Sequence, residues 1–399
     1  MKRFVPYLLL LFLIAAFLRV DFFFTVVYLF LAVYVLSGLW MRRATDQLRA
    51  ERVFTDRAFS GDQVPMELKV YNDGWLPVPW LHVHESLPVA LKTPPFLREV
   101  TFLDPHDQQS FVTMLECRRR GYYEVGPLRL QVGDLLGVTS PRRVEVEAEH
   151  FIVYPRVLPL EELGLPTRSP LVALPARMPL FEDPSRIMGV RDYRHGDSPR
   201  RIHWTATASA GQILVKQYEP SIARETLIYL DLTGEHYEGR RRYTATELAI
   251  VVAASIAHHI AVNEGLPVGL ATEGWDPLLD ARARFFLPPR SERAHLMSLL
   301  EVLARIEIAE ATPFPELVRS ESVRLSWGAT LAIIAGQESE ALFDTLVYLQ
   351  RAGFAAALIL VQPTYVSEDL RRQADMLGLP VHRIWKEPLS FPSQVRRSS

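Results

Sequence analysis

The densest cluster of residues able to do chemistry runs from Arg191 to Trp204: Arg-Asp-Tyr-Arg-His-Gly-Asp-Ser-Pro-Arg-Arg-Ile-His-Trp. Arg191, Arg194, Arg200, Arg201 and Lys216 supply cations suited to a phosphate, an acidic peptide or a nucleic-acid backbone. Asp192, Asp197 and Glu219 stand close in sequence as partners for them. His203 and Asp197 together also provide the groups of a general acid–base pair. Ser198-Pro199 reads as a helix start, a capping hydroxyl before a proline at the first helical position. On such a helix Arg200, His203 and Trp204 share one face at i, i+3 and i+4. Two readings compete: a ligand or substrate contact, or a knot of ion pairs and hydrogen bonds that locks one domain against the next. The alternation of Asp and Arg, instead of a run of one sign, favours the knot.

Other candidates carry less. His82-x-His84 would face one side of a strand but lacks a nearby third ligand. His258 and His259 stand near a helix end, where imidazoles complement the dipole and adjacent side chains point about 100° apart. The single cysteine, Cys117, excludes an intramolecular disulfide and a Cys-based zinc site, and reads as a small core residue in a strand. No Walker A, Gly-x-Ser-x-Gly or His-Glu-x-x-His pattern occurs, so the chain is not expected to hydrolyse ATP by itself.

The elements that must position these residues lie on a chain of 399 residues with 44 Lys+Arg against 46 Asp+Glu, a net charge of −2. That length predicts two to four domains, and the slightly acidic balance excludes blanket nucleic-acid binding. The averages hide an uneven distribution. Phe4–Leu18 is unbroken apolar sequence, Arg19-Val20-Asp21 interrupts it, and Phe22–Met41 then runs without a charge. As a helix the second run is roughly 30 Å long, the thickness of a bilayer core; the first is shorter, with Arg19 able to snorkel. Lys2-Arg3 before and Arg42-Arg43 after, by the positive-inside rule, put both ends in the cytoplasm. Residues 1–43 thus read as a two-helix transmembrane hairpin contacting the bilayer through 4–41. A cleaved signal peptide competes, but no small-x-small site follows the first run.

Residues 50–155 read as strands. Val64–Tyr71 alternates apolar and polar before an Asn72-Asp73-Gly74 turn, Phe111–Cys117 is rich in strand formers, and Leu128, Leu130 and Val132 alternate with Arg129 and Gln131. Short strands at this spacing predict a small β-sandwich. Residues 156–224 form a connecting region, proline-rich and without a clean period as far as Asp183. From 225 to 387 the pattern alternates strand and helix. Strands are expected at Thr226–Leu232, Leu266–Ala271, Thr330–Ala335, Phe354–Val361 and Val381–Trp385. Helices are expected from a Thr244-Ala-Thr-Glu247 capping box to Gly265, from Ser291 to Ile306, from Ser339 to Gly353, and near Glu368–Met376. The apolar stretch Leu248–Ala257 is too short to span and reads as a core helix. This order predicts an open, mostly parallel α/β (Rossmann-like) sheet with helices on both faces. Residues 388–399 read as a disordered tail.

Arg191-x-Tyr193-x-x-Gly196-Asp197-x-x-Arg200-x-Ile202-His203-Trp204, followed by Val215-Lys216, resembles the signature of the bacterial domain of unknown function 58 family. The signature region spans 185–218, and Arg120-Gly121-Tyr122-Tyr123-x-Val125-Gly126-Pro127 with Asp134-Leu135-Leu136-Gly137 is similar to that family's upstream strand motif. Two positions depart from it: Ser209 stands where arginine is common, and Leu135-Leu136 replaces Pro-Phe. The resemblance implies a membrane-anchored partner of MoxR-type AAA+ ATPases whose 225–387 domain is von Willebrand factor A-like. It also implies a Mg²⁺ site at the end of the first strand of that domain. Here Asp231, Thr233 and Glu235 offer oxygen ligands in a degenerate version of it, because Leu331–Gly336 ends without the second carboxylate. No other cofactor is expected.

The function these observations favour is a non-catalytic membrane-anchored cytoplasmic adaptor or scaffold. It would work with a MoxR-type ATPase and other membrane or envelope proteins in assembly or maturation, and would bind no nucleic acid. The alternative is an enzyme that uses the Arg200/His203/Asp197 cluster on a phosphorylated or envelope-related substrate. It lacks a specified nucleophile.

Overall fold

The computed structural model describes residues 4–18, 21–134, 140–167, 181–194, 197, 199–221, 225–237, 239, 241–310, 312–363 and 368–385. They fall into two compact units, Met1–Arg156 and Val157–Ser399. The expected tail at 388–399 and the Ser198 cap lie outside the described residues, as do Leu135-Leu136 and the basic pair Lys2-Arg3.

The first unit opens with α1 (Phe4–Leu18) and α2 (Asp21–Asp46). The segment Phe24–Asp46 is long and apolar enough to cross a membrane, with a mean hydropathy of 2.0, and little of it is buried by protein. At 15 residues α1 is about 22 Å long, shorter than a bilayer core of about 30 Å. Ten strands follow: β1 (Leu48–Val53), β2 (Arg57–Phe59), β3 (Gln63–Asn72), β4 (Val78–Ser86), β5 (Phe96–Leu103), β6 (Gln108–Glu116), β7 (Gly121–Val125), β8 (Leu128–Gly133), β9 (Arg142–Val146) and β10 (Glu149–Tyr154). They form sheets in the orders β1-β3-β6, β2-β10-β7 and β5-β4-β8-β9. Alternation explains the packing: Val64, Met66, Leu68 and Val70 all turn inward from β3. Leu68 and Val70 meet Leu81, Val83, Leu128 and Leu130 in one core, which Met41 and Ala44 of α2 also enter. Met66 meets Leu115, Cys117, Phe151 and Val153 in a second core. The apolar helix therefore ends as part of the β-structure.

The second unit begins with β11 (Phe181–Asp192), α3 (Trp204–Ala210) and β12 (Leu214–Ser221). β11 and β12 pair antiparallel, so strands occupy much of what the sequence suggested was a mere connection. Pro184 and two register breaks in β11 hide the period. Next come β13 (Thr226–Leu230), α4 (Arg242–His258), β14 (Val268–Asp276), β15 (Ala281–Arg290), α5 (Arg293–Arg305), α6 (Phe314–Ser322), β16 (Thr330–Ala335), α7 (Glu340–Arg351), β17 (Ala355–Val361), α8 (Glu368–Leu377) and β18 (Val381–Ile384). The sheet order is β15-β14-β13-β16-β17-β18. It is parallel except for the β15 edge, which pairs antiparallel with β14.

Every residue of β13, β16 and β17 is buried, as a sheet covered on both faces requires. Leu227, Tyr229, Leu331, Ile333, Leu358 and Leu360 share a core with α6, α7 and α8. The intervening residues turn to the opposite face, where α4 packs along β13, β16 and β17. The apolar centre of α4 is buried core, as expected. Helix starts differ in detail. Ser339 Oγ accepts from the Leu342 N–H as read, but α4 begins at Arg242, which places Thr244 inside it with its hydroxyl on the Arg241 carbonyl. α5 has Glu292, and not Ser291, at its N-cap position, where it makes no side-chain capping bond.

Candidate functional site

The signature folds as one local unit on the β11–β12 hairpin. Register places Arg191 opposite Val215 and Val190 opposite Lys216. The Tyr193 N–H donates to the Ile213 carbonyl at 3.0 Å and the His203 N–H to the Leu214 carbonyl at 2.8 Å, while Ile202 bridges Val215. The predicted single helix from Ser198 is not what forms. Pro199–Arg201 makes one 3₁₀ turn, the chain then extends through His203, and α3 starts only at Trp204. His203 (φ −92°, ψ 87°) is the residue before the helix, and its Nδ1 accepts the Ala206 N–H at 3.2 Å. It acts as the cap in place of a serine. Arg200, His203 and Trp204 consequently do not line one helical face. The helix that starts at Pro199 is exhausted within one turn, because Ile202 and His203 are drawn into the sheet pairing.

Asp197 accepts from both terminal nitrogens of Arg191 at 2.7 Å, a bidentate pair, and also from the Arg194 N–H at 2.8 Å. The Arg191 guanidinium, helped by that N–H, holds the Asp197 carboxyl down to about 2. Asp192 is engaged by the Gln212 amide at 3.0 Å. Asp197 and His203 are thus occupied separately, each in fixing a turn. The aromatic residues behave differently: Trp204 is 70% exposed and Tyr193 38%, and Ile213, paired with Tyr193 at the same end of the hairpin, is half exposed. Gly196 lies outside the described residues, while Ile202 and Lys216 are half-buried along the hairpin.

The upstream motif is structural as well. Gly126 has φ +123°, and a Cβ there would come within 2.8 Å of Arg52 Nη2 and of the Ala148 backbone. That gap admits the Arg52 guanidinium, which pairs with Glu85 at 3.1 Å where both side chains are almost wholly buried. Tyr123 donates its hydroxyl to the Arg119 carbonyl at 2.9 Å.

The second candidate lies at the carboxyl edge of the central sheet. Asp231 follows β13, is 2% exposed, and donates its N–H to Ile334 of β16. Its Oδ1 accepts the Thr233 N–H at 2.9 Å and its Oδ2 lies 2.5 Å from His236 Nδ1. Tyr237 donates its hydroxyl to the Asp231 carbonyl at 2.7 Å. The loop can lie this close because β16 is followed by Gly336, where a Cβ would run into the His236 carbonyl and the Tyr237 ring. The His236 ring fills the place beside Asp231, and the hydrogen bond to that carboxylate raises the His236 pKa above its ordinary value. Glu235 is exposed and Thr233 half-buried. The ligand set Asp231, Thr233 and Glu235 therefore does not fit a divalent ion: its one buried carboxylate is already spent on the loop. Among the described residues no group of three or more His, Cys, Asp or Glu side chains is placed to hold a metal. His236 and Tyr237 were not singled out in the sequence, because a histidine five positions after an aspartate matches no ligand spacing.

Residues 189–321 match the family described as "Protein of unknown function DUF58". This segment runs from the signature hairpin through the Asp231 edge to the end of α6. The chain is 23% identical over 343 residues to "Uncharacterized protein YeaD" of Bacillus subtilis (strain 168), covering 83% of this chain and 78% of that one. Likenesses to solved structures are slight. The Pseudomonas fluorescens alkylpurine DNA glycosylase AlkC bound to DNA containing an abasic site analog aligns with TM-score 0.18 and 12% identity, over 27% of this chain and 30% of that one. A beta-glucosidase from Listeria innocua aligns with TM-score 0.14 and 12% identity, over 26% and 16%. This chain thus spans less than a third of either, and at these TM-scores neither likeness bears on fold or function.

Proposed function

The chain belongs to the DUF58 family of proteins of unknown function, and from that premise we propose that it is a membrane-anchored, non-catalytic binding module. One observation carries this reading. Arg191 and Asp197 are spent on each other and His203 Nδ1 on a helix cap, while the aromatic side chains of the signature, Trp204 and Tyr193, face solvent. A catalytic cluster needs the opposite, with Asp197 and His203 free to meet a substrate. An exposed tryptophan and tyrosine on a rigid hairpin are what a protein contact uses as anchors.

The apolar length of α2 supports the anchor, and Arg42-Arg43 at its end support a cytoplasmic body. The sheet order, with helices on both faces, supports reading the second unit as von Willebrand factor A-like. The resemblance of the signature supports a MoxR-type AAA+ ATPase as the partner. Copurification in mild detergent tests this. The full chain retains such an ATPase, and a Trp204→Ala/Tyr193→Ala variant, whose hairpin hydrogen bonds are all intact, loses it at least about tenfold, as removal of an anchor worth about 1.4 kcal/mol or more implies. Equal retention by both proteins, or no ATPase with either, overturns the proposal.

A further inference from the structure

At Ser37 the hydroxyl donates to Asp134 Oδ2 at 2.8 Å, and the last turns of α2 then lean on the β-structure. Between them lies a cavity of about 810 Å³, within the range of ligand sites. Val33, Leu36 and Trp40 wall it from the helix, and Trp75, Leu76 and Pro77 from the β3–β4 turn. The turn is pinned to the helix, since Trp40 Nε1 donates to the Pro77 carbonyl at 3.0 Å. Yet Trp75 remains 68% exposed. At the cytoplasmic end stands Arg43, and no carboxylate pairs with Arg42 or Arg43 among the described residues.

We infer that this groove seats one acyl chain of an anionic glycerophospholipid, with the lipid phosphate at Arg43. The inference rests on the membrane-anchored reading. Three features commit it to lipid. The groove continues the face of the membrane helix, so it opens where lipids already are. Its rim carries two tryptophans, the residues that settle at the headgroup level. Its charge is also suitably placed: the Ser37–Asp134 pair lies about 9 Å along the helix from Arg43, so the Asp134 carboxylate is held by the Ser37 hydroxyl and the Arg43 guanidinium is left for the phosphate. A chain drawn into the groove also lengthens the apolar contact of a span that polar contacts begin to cut short at Ser37.

The test uses the full chain in vesicles of phosphatidylcholine and phosphatidylglycerol, the latter carrying a photoreactive diazirine at the acyl terminus. Crosslinked peptides are mapped by mass spectrometry. Crosslinks at both 33–43 and 74–80 are expected, and Arg43→Gln lowers phosphatidylglycerol crosslinking at 74–80 about tenfold, the loss of one charge-assisted bond. Crosslinks confined to α1 and residues 22–36, with the chain still resistant to alkaline carbonate, overturn the groove but leave the anchor standing. Release of the chain by carbonate overturns both.

Discussion

Replacing His236 with alanine is the sharpest perturbation of the sheet edge. In the wild type both carboxylate oxygens of Asp231 are held, Oδ1 by the Thr233 N–H and Oδ2 by the imidazole, at 2% exposure. His236→Ala leaves Oδ2 without its partner. Breaking a fully buried ion pair costs about 3–5 kcal/mol. The His236 ring is 29% exposed, so water reaches the vacated oxygen and the cost falls to about 2 kcal/mol. For a unit of this size that lowers Tm by about 4–8 °C. Tryptophan-detected thermal unfolding of the full chain in detergent, at pH 6, measures it. The sign of the pH dependence is fixed by the raised pKa. Stability from the pair is fully present below the ordinary histidine value of about 6.5, and is lost as pH climbs through the higher folded value. The gap between wild type and His236→Ala should therefore narrow in alkaline buffer. A variant within about 1 °C of wild type at pH 6 would show that Asp231 is satisfied without the imidazole, and the reading of His236 as the partner that closes this edge would be wrong.

Three further outcomes are expected. Arg52→Ala strands the buried Glu85, whose carboxyl burial already pushes up. It should cost about 3–5 kcal/mol by denaturant unfolding, with most of that recovered in Arg52→Met/Glu85→Leu; a loss under about 1 kcal/mol would mean the pair is solvated. Burial raises the Cys117 thiol to about 12, so the native chain at pH 8 should ignore Ellman's reagent and release one thiol on unfolding. Reaction at the rate of a free thiol would contradict the core placement. Asp197, held down to about 2 by Arg191, adds stability that is present above the ordinary carboxyl value of about 3.9 and lost as pH falls toward 2. Hydrogen-exchange protection over 189–218, relative to the intrinsic rate at each pH, should fall across that window in the wild type and be already low in Arg191→Met. Unchanged protection in the variant would leave the pair without a structural role.

How much of this was legible depended on whether local pattern or long-range pairing decided the outcome. Thr330–Ala335 is a strand end to end, because a buried parallel strand needs nothing but a continuous apolar run. The Ser339 cap and the buried α4 centre followed equally from local rules. The edge strand β15 escaped notice since Pro288-Pro289 close it and its Arg-Ala alternation faces solvent. α6 was missed as well; it is only nine residues long. In the signature, residue types pointed to chemistry, but the hairpin register assigned them to structure. Arg191 meets Asp197, and His203 becomes a cap only because β11 and β12 bring Leu214 beside it. The oxygen-rich Asp231 loop was visible in sequence. Its closure by His236 over Gly336 was not, because it depends on two strands that are adjacent in space and a hundred residues apart in the chain.

The central claim, that the signature hairpin is a contact surface and not an active site, is tested most directly by a photoreactive phenylalanine placed at position 204 in the full chain and crosslinked in native membranes. The account predicts a discrete protein adduct from position 204, identified by mass spectrometry as an AAA+ ATPase subunit, and none from a control at exposed Val262. A position 204 that yields no protein adduct, or the same adducts as Val262, would contradict it.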